Sequence, residues 1–379
     1  MNFNRPLRVA WLTNAPSGDQ IDLLTAFASR PEVDLRVIYC SARAGKGEID
    51  SRAPRGRGMS LSGVKLPGPK GGLFLNPSII SALVRSSYDL VIIGGYAHPT
   101  MQLAMMVRSL QRKPWVLFAE RPGMSRDNHW RRLARKLAMS MVRSAHGVIA
   151  TGRLAQEAFA SEFGPSLNIF SLPYLINHDD FLGIARQERR PSKTVSFMAC
   201  GELIRRKGID VLIQAFQRAA ESRPDISLTI VGDGPDRESL NASVREEYRN
   251  QIEFRGATPF HERAKAFAGA DVFIHAARHD GWGVVIQEAM AAGLPVVATR
   301  QTGAAYDLVK EGENGFLIEA EDEVTLAERI SWFADHRQEI PQFRDSALAA
   351  VSGLTPEWGA AELVRITGSV VHRRDSQNP

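Results

Sequence analysis

Residues 270–299 constrain the fold more than any other stretch of the 379-residue sequence. Residues 270–275 are rich in β-branched and aromatic side chains, which predicts a buried strand. The Asp-Gly-Trp-Gly cluster at 280–283 predicts a turn, and residues 284–292 favour a helix that a following glycine and proline end. Residues 296–299 predict the next strand. The unit is therefore strand, glycine loop, helix and strand.

This glycine loop is predicted to bind an anion, because a helix that begins there presents free N–H groups and a positive dipole end. Asp280 lies just before the loop, and Glu288 lies about one turn into the helix, roughly 6–8 Å further on. Ionised carboxylates accept hydrogen bonds from vicinal hydroxyls, so the pair suits a nucleotide sugar. An ordinary strand–helix–strand unit with two solvated acids is the alternative. The predicted donor contacts here are Asp280, Gly281, Trp282, Gly283, Val284, Val285 and Glu288.

A wider pattern surrounds the two acids. Asp280, seven residues, Glu288 and the following Ala-Met-Ala-Ala-Gly-Leu-Pro-Val-Val-Ala resemble the acid–x7–acid signature of retaining glycosyltransferases of family four. The resemblance implies an α/β chain with the GT-B fold, in which two Rossmann-like parallel-sheet domains face each other across a cleft. The first acid is more often Glu in that family, so we expect Asp280 to keep the role with a different sugar preference. The resemblance is strong over 194–320 and extends only to the fold over 1–175.

The length of the chain allows two domains with cores of their own. We expect an N-terminal, acceptor-binding domain at 1–182 and a C-terminal, nucleotide-sugar-binding domain at 183–355. The boundary is placed at the polar and charged residues 182–193. A final helix at about 356–375 is expected, by resemblance, to pack back on the first domain.

Strands and helices alternate in the first half, which predicts a parallel sheet with ligands outside the carboxyl ends of its strands. Gly18, His98 and Glu120 each follow a predicted strand. Gly18 and His98 are candidates for the acceptor side. By resemblance, Glu120 occupies about the place where some members of the family carry a catalytic or positioning group of the first domain. Incidental loop residues are the alternative for His98 and Glu120. A complete G-x-G-x-x-G is missing from this half, which argues against a dinucleotide.

The second half restarts with a strand and a basic loop, in which lysine offers a point charge and arginine a bidentate fork to a diphosphate. In the family this segment commonly carries an arginine where this chain has Glu202, so Arg206 or Arg205 is expected to replace it. Lys207 is carried over as the group that stabilises the leaving diphosphate. Gly256 ends a strand that commonly lies near the base in these enzymes.

The net charge of +5 is unevenly distributed, with +12 over residues 1–190 and −7 over the remainder. The basic half suits an anionic membrane surface or an anionic acceptor, and a basic surface without a partner is the alternative. An exposed loop at 43–72 and a basic helix with an apolar stripe at 128–145 are the segments that suit such a partner. A solvated insertion is the alternative for the loop, and a stripe packed on the sheet with its arginines facing water is the alternative for the helix. The sequence carries no nucleic-acid-binding signature.

The sequence also indicates where in the cell the protein is expected to act. It contains neither a run of about 18 apolar residues nor the apolar region of a signal peptide, so we expect a cytoplasmic protein, peripheral on the inner face of the membrane at most. Cys40 and Cys200 have no metal-ligand spacing and are expected to be reduced thiols.

The function expected from these features is a retaining, metal-independent transfer of a sugar from a UDP- or GDP-linked donor to a glycan or lipid-linked acceptor of bacterial surface polysaccharide or glycolipid synthesis. No further cofactor is expected, since basic residues take the place of a metal ion at the diphosphate. A nucleotide-sugar epimerase on the same fold and a non-catalytic sugar-nucleotide-binding protein are the alternatives. An NAD-dependent oxidoreductase is disfavoured, because neither half has the required glycine motif with its acid.

Overall fold

The computed structural model describes residues 5–15, 18–41, 57–67, 72–122, 136, 139–186 and 193–377. These residues form two compact units. The first unit comprises Met1–Asn177 together with Leu354–Pro379, and the second comprises His178–Gly353. The C-terminal segment of the chain therefore belongs to the first unit.

The main sheet of the first unit is parallel throughout, in the order β3-β2-β1-β6-β7-β8-β9. Its strands are β1 (Leu7–Thr13), β2 (Val33–Tyr39), β3 (Gly58–Ser60), β6 (Leu90–Gly94), β7 (Trp115–Ala119), β8 (Val148–Ala150) and β9 (Ile169–Ser171). A small antiparallel hairpin is formed by β4 (Val64–Leu66) and β5 (Leu73–Leu75). The central strands are buried along nearly their whole length, as expected for a parallel sheet covered on both faces.

Helices cover both faces of this sheet. They are α1 (Gly18–Ala28), α2 (Ser78–Arg85), α3 (Pro99–Leu110), α4 (Arg153–Phe163) and the C-terminal helix, numbered α12 (Pro356–Gln377). On one face α2, α3 and α4 pack into one core with alternate strand residues, and on the other face α1 packs against α12. The C-terminal helix packs on the first unit because Ala360, Leu363 and Ile366 are fully buried in that second core.

The sheet of the second unit is also parallel, in the order β12-β11-β10-β13-β14-β15. Its strands are β10 (Val195–Cys200), β11 (Ile226–Val231), β12 (Ile252–Gly256), β13 (Val272–His275), β14 (Val296–Thr299) and β15 (Gly315–Ile318). Its helices are α5 (Asp179–Ala185), α6 (Ile209–Ala220), α7 (Arg237–Ala242), α8 (Val284–Ala291), α9 (Gly303–Leu308), α10 (Glu323–Asp335) and α11 (Ile340–Val351). The strand order reverses between β10 and β13. Ligands of open α/β sheets bind at such a switch point, outside the carboxyl ends of the strands.

Two segments predicted to meet a membrane or an acceptor lie largely outside the described residues. They are positions 43–56 and 68–71 of the predicted loop, and most of the predicted basic helix at 128–145. Among the helices of the described residues, none is both long and apolar enough to cross a membrane.

Candidate functional site

The switch point of the second sheet brings two loops together. The loop after β10 carries Arg206 and Lys207 in a single 3-10 turn, and the loop after β13 carries Asp280. Two hydrogen bonds to main-chain carbonyls connect the loops. The N–H of Arg278 donates to the carbonyl of Arg206 at 2.9 Å, and the side-chain guanidinium of Arg206 donates to the carbonyl of His279 at 2.8 Å. Charged groups that are 73 residues apart in the chain therefore share one site.

Asp280 is the centre of this cluster. Lys207 Nζ lies 2.5 Å from its Oδ2, and Arg206 Nη1 lies 3.1 Å from its Oδ1. The ring of His275, at the end of β13, places Nε2 3.3 Å from Oδ2. Since two cations share one carboxylate, the cluster keeps a net positive charge when His275 is neutral. The arrangement suits an anionic ligand with hydroxyl groups, which a carboxylate accepts and a cation neutralises.

The charge states follow from burial and from these contacts. Burial alone would raise the pKa of the Asp280 carboxyl, but the contact with His275 and the charge of Lys207 outweigh it and hold that pKa far below its usual value. Burial lowers the pKa of His275, and Asp280 opposes that change without reversing it. At neutral pH the site therefore presents an ionised Asp280 beside a neutral imidazole.

Glu288 lies on α8, with its side chain buried. Its Oε1 lies 3.1 Å from Nη1 of Arg263, and that guanidinium also stacks over the ring of Phe181. The helix begins at Gly283, which has φ of +86° and whose hypothetical Cβ would lie 2.6 Å from Thr302 Cγ2. Only glycine combines this left-handed backbone with so close an approach to Thr302. The sharp turn leaves the first N–H groups of α8, including those of Val284 and Val285, at the exposed start of the helix, where a ligand can accept from them.

The loop at 280–283 presents its main chain to a ligand, and not the large side chain of Trp282. Trp282 is fully buried, and its Nε1 donates to Gln287 Oε1 at 3.2 Å, so its indole belongs to the core. The Trp282 carbonyl accepts from Ala304 N at 2.7 Å, and the Gly281 carbonyl lies against Gly303. A donor contact at Trp282 would therefore come through the backbone. Gly256 lies at the carboxyl end of β12, beside the guanidinium of Arg237.

The structure also distinguishes between the two arginines proposed to replace the family's usual one. Arg206 pairs with Asp280, whereas Arg205 has an exposed side chain and uses its carbonyl to accept a hydrogen bond from Arg278. Glu202 is exposed as well. Arg206 is thus the arginine placed in the cluster.

In the first unit, the three candidate residues follow neighbouring strands of the sheet. Gly18 begins α1 after β1, His98 precedes α3 after β6, and Glu120 directly follows β7 with an exposed side chain. His98 Nδ1 accepts the N–H of Phe74 at 3.0 Å and its ring stacks on that side chain, so His98 ties hairpin strand β5 to the start of α3. This contact leaves Nε2 as the ring nitrogen available for a ligand.

Three partners in the second unit were missed by sequence reasoning. His275 was predicted only as the end of a strand. Arg263, which pairs with Glu288, lies in the 3-10 helix Phe260–Phe267, and the sequence predicts a helix at 259–268 without assigning it a role in the site. Arg278 makes a bidentate pair with Asp210 at 2.7 and 2.8 Å and also binds Glu321. Arg278 and His275 stand near Asp280 in sequence, which is the one signal that could have drawn attention to them. Nothing in the spacing marks Arg263.

Among the described residues, no group of three or more His, Cys, Asp or Glu side chains is arranged to hold a metal ion. Both thiols are free, and burial raises the pKa of Cys40 and of Cys200 to about 12. Glu288 adds to the effect at Cys200 and Lys207 opposes it, which places this thiol beside the charged cluster.

The buried imidazoles predict how stability depends on pH. Burial lowers the pKa of His98, His178 and His275 below 6.5. The unfolded chain then binds more protons than the folded chain as the pH falls below 6.5, so folding stability decreases, by at most about 1.4 kcal/mol per pH unit for each histidine. Urea unfolding between about pH 7.5 and pH 5.5 measures this slope, and His275→Gln should reduce it. The exposed His261→Gln is the control, and an unchanged slope in His275→Gln would contradict the prediction.

Comparison with known proteins agrees with this geometry. Residues 183–347 match the family model described as glycosyl transferases group 1. The match covers nearly the whole second unit, including the loops that carry Lys207, Asp280 and Glu288.

Two curated relatives align with parts of the chain. A GDP-mannose-dependent alpha-mannosyltransferase of Corynebacterium glutamicum is 35% identical over 144 residues, which are 38% of this chain and 32% of the relative. A GDP-mannose-dependent alpha-(1-6)-phosphatidylinositol monomannoside mannosyltransferase of Mycolicibacterium smegmatis is 32% identical over 204 residues, or 50% and 53% of the two chains. The chain thus spans about half or less of the length of these relatives.

Solved structures extend the likeness to both units. Anabaena HepE in complex with UDP superposes with a TM-score of 0.72 at 20% identity, over 96% of this chain and 100% of that one. A glycosyltransferase from Rickettsia africae superposes with a TM-score of 0.74 at 15% identity, over 97% and 99%. At these identities the likeness establishes the fold. It confirms the predicted GT-B class with two Rossmann-like, parallel-sheet units.

Proposed function

We propose that the protein is a retaining glycosyltransferase that moves a sugar from a nucleotide-diphosphate sugar to a glycan or lipid-linked acceptor. The observation that carries the proposal is the cluster of Arg206, Lys207 and Asp280 at the switch point of the second sheet. Its net positive charge lies beside the N-terminus of α8, so a diphosphate meets both fixed cations and free N–H groups. The mannosyltransferases among the relatives support a sugar donor.

The four charged candidate residues of the second unit have proposed parts in this reaction. Breaking the anomeric bond places negative charge on the leaving diphosphate, which Lys207, Arg206 and the first N–H groups of α8 stabilise. Asp280 accepts hydrogen bonds from hydroxyls of the donor sugar, and Glu288 accepts them from the ribose diol. To bind the diphosphate, Lys207 must exchange part of its pairing with Asp280 for the ligand. The charges that stabilise the leaving diphosphate are therefore already positioned in the free protein.

The acceptor is proposed to bind at the carboxyl ends of the strands of the first unit, near Gly18 and His98, with Glu120 as the positioning or catalytic group. The reaction is proposed to take place at the inner face of the cytoplasmic membrane. This location fits a lipid-linked acceptor, such as the phosphatidylinositol monomannoside in the name of one relative. The donor is proposed as GDP-linked or UDP-linked, because relatives are named for GDP-mannose and one structural neighbour holds UDP. No metal ion or further cofactor enters the proposal.

Ligand-induced stabilisation tests the donor site. We expect one nucleoside diphosphate or its sugar, from UDP, GDP, ADP, UDP-sugars and GDP-mannose, to raise the thermal midpoint by several degrees at about 100 times its Kd, equivalent to about 2.7 kcal/mol. The variant Lys207→Ala/Glu288→Ala should lose this shift, because it removes one charge at the diphosphate and one at the ribose. A thermal-shift screen with NAD as the decoy makes the measurement.

The matched control is Arg245→Ala/Glu221→Ala, which also removes one basic and one acidic residue, from an exposed ion pair of the same unit. This control should respond to the ligand as the unchanged protein does. A shift with NAD alone, or an equal shift in Lys207→Ala/Glu288→Ala, would refute the site. Donor turnover that requires an acceptor then separates a transferase from a binding protein, and recovery of an epimerised donor would replace the proposal with the alternative reaction.

A further inference from the structure

A second concave site lies in the first unit, at the opposite edge of its sheet from His98 and Glu120. A cavity of about 600 Å³ opens there, lined by residues that immediately precede β7, β8 and β9 and by the end of α3 and part of α12. These are the amino ends of the strands, whereas the ligands of such sheets bind at the carboxyl ends. The cavity is of the size that small ligands occupy, yet the proposed transfer reaction does not use it.

The lining of this cavity is cationic. It includes Arg108, Arg112 and Lys113, and none of the described residues that line it is acidic. The Arg108 side chain is fully buried and donates to the carbonyl of Pro114 at 2.8 Å, so a cation is built into the wall rather than lying on the surface. The lining also includes Ser109, Ser144, Ser166 and Ser369, whose hydroxyls each donate to a main-chain carbonyl three or four residues earlier. Basic side chains without neighbouring carboxylates are the donor set from which phosphate oxygens accept hydrogen bonds.

The helix that ends at the cavity has an apolar exposed face. Met106 is 44% exposed and Leu110, one turn later, is 79% exposed. The neighbouring helix α2, which packs beside α3 on the same face of the sheet, exposes Ile80 and Val84. Four of the seven large apolar side chains that are exposed among the described residues therefore lie on this pair of helices. Such clustering on one surface marks an interaction site.

The charge of the surrounding sequence selects the kind of partner. Residues 51–119 contain nine Lys and Arg but a single acidic residue, Asp89, which is itself paired with Arg5. Neither α2 nor α3 contains an acidic residue. Arg85 lies in the last turn of α2, and Arg112 and Lys113 come directly after α3. Exposed apolar side chains flanked by basic residues are the pattern of proteins that lie on an anionic bilayer.

We propose that the cavity binds the phosphate group of an anionic phospholipid, while Met106 and Leu110 enter the surface of the bilayer. The phosphate lies among Arg112, Lys113 and the buried Arg108, and the exposed faces of α2 and α3 contact the acyl boundary. Apart from Ser144 and Ala145, at the end of the predicted basic helix, this surface differs from the two segments that the sequence suggested. The proposal is independent of the sugar-transfer reaction, so either one can fail without the other.

Vesicle binding by the full chain tests the proposal. We expect the protein to sediment with vesicles of phosphatidylglycerol in phosphatidylcholine and much less with phosphatidylcholine alone. Arg112→Gln/Lys113→Gln should weaken this binding roughly tenfold or more, since each basic residue contributes to attraction by the surface. Met106→Ser/Leu110→Ser should weaken it by a similar factor through lost apolar burial. Matched controls in the second unit are Val324→Ser and Arg300→Gln/Lys310→Gln, which should bind as the unchanged protein does.

Stabilisation by inorganic phosphate and by glycerol 3-phosphate separates a lipid headgroup from a free anion. Both should raise the thermal midpoint of the unchanged protein and of Met106→Ser/Leu110→Ser equally. The rise should be smaller in Arg112→Gln/Lys113→Gln, in which only the cluster of Arg206 and Lys207 still binds phosphate. Stabilisation by phosphate without vesicle binding would overturn the lipid assignment in favour of a soluble anion. Vesicle binding that is indifferent to phosphatidylglycerol, or unchanged in either double variant, would overturn the proposal altogether.

Discussion

Replacing Asp280 with asparagine is expected to reduce sugar transfer roughly a hundredfold to a thousandfold, the range that loss of one fixed polar group in an active site produces. The substitution keeps the size of the side chain but removes the charge that Lys207 and Arg206 share. An amide also cannot accept hydrogen bonds at both of its positions, so one contact with the donor sugar is lost. Initial rates of transfer at saturating donor measure the effect.

Binding of the nucleoside diphosphate should respond differently from transfer. Without the competing carboxylate, Lys207 and Arg206 are free to pair with the diphosphate, so we expect its affinity in Asp280→Asn to be equal to or above that of the unchanged protein. The unliganded protein should be about 2 kcal/mol less stable, because Lys207, with 14% of its side chain exposed, loses its ionic partner. Titration calorimetry and urea unfolding separate these effects.

Two further variants make the result interpretable. Asp280→Glu keeps the charge and introduces the residue that is commoner in the family, so it should retain more activity than Asp280→Asn. Glu202→Gln removes a charge from an exposed carboxylate of the neighbouring loop and should behave as the unchanged protein. Equal losses of transfer and of diphosphate binding in Asp280→Asn would show that Asp280 supports the fold of the loop rather than the donor sugar.

The position of Asp280 was predictable from the sequence because it depends on local signals. Residues 296–299 were predicted as a strand and form β14, and the predicted helix at 284–292 is α8 to within one residue. Both elements are short, almost entirely buried and bounded by glycine or proline, so the pattern of residue types determines them. The carboxylate that precedes the helix then has to lie at the carboxyl edge of the sheet.

The partners of Asp280 were not predictable to the same degree. Lys207 and His275 reach the same carboxylate because β10 and β13 are neighbours in the sheet, although the sequence separates them by two strands and their connections. Strand order depends on pairing between distant parts of the chain, and local patterns of residue types do not determine it. The pair between Glu288 and Arg263 has the same origin, since Arg263 lies in a 3-10 segment before β13. The resemblance supplied Lys207 but neither His275 nor Arg263.

In the first unit, the helices α2 and α3 and the small hairpin went unrecognised. The hairpin strands have only three residues each, too few for an alternating pattern to be detected, and part of the hairpin lies in a stretch rich in glycine and proline. Its anchor, the hydrogen bond from Phe74 to His98, joins residues 24 apart. His98 was singled out as a candidate for the acceptor, but its structural contact could be seen only in three dimensions.

The second large effect is expected from Gly208→Ala, which should destabilise the second unit and weaken donor binding together. Gly208 has φ of +66° between the basic 3-10 turn and α6, and an added Cβ would lie 2.0 Å from the carbonyl oxygen of Ala276. No flexible side chain can yield there, so the backbones of the two loops must separate. Those loops carry Lys207 and Asp280, whose contact at 2.5 Å does not survive such a shift.

Gly312→Ala is the matched control, because Gly312 has φ of +74° and open space around its hypothetical Cβ. The left-handed backbone alone should cost about 1–2 kcal/mol in both variants. Gly208→Ala should exceed the control by roughly 2 kcal/mol or more, since displacing packed backbone is among the most destabilising changes. Urea unfolding measures the difference, and titration with the nucleoside diphosphate identified by thermal shift measures affinity at a temperature where both variants are folded. If Gly208→Ala matches Gly312→Ala in stability and the unchanged protein in affinity, the close contact between the two loops does not hold the site together.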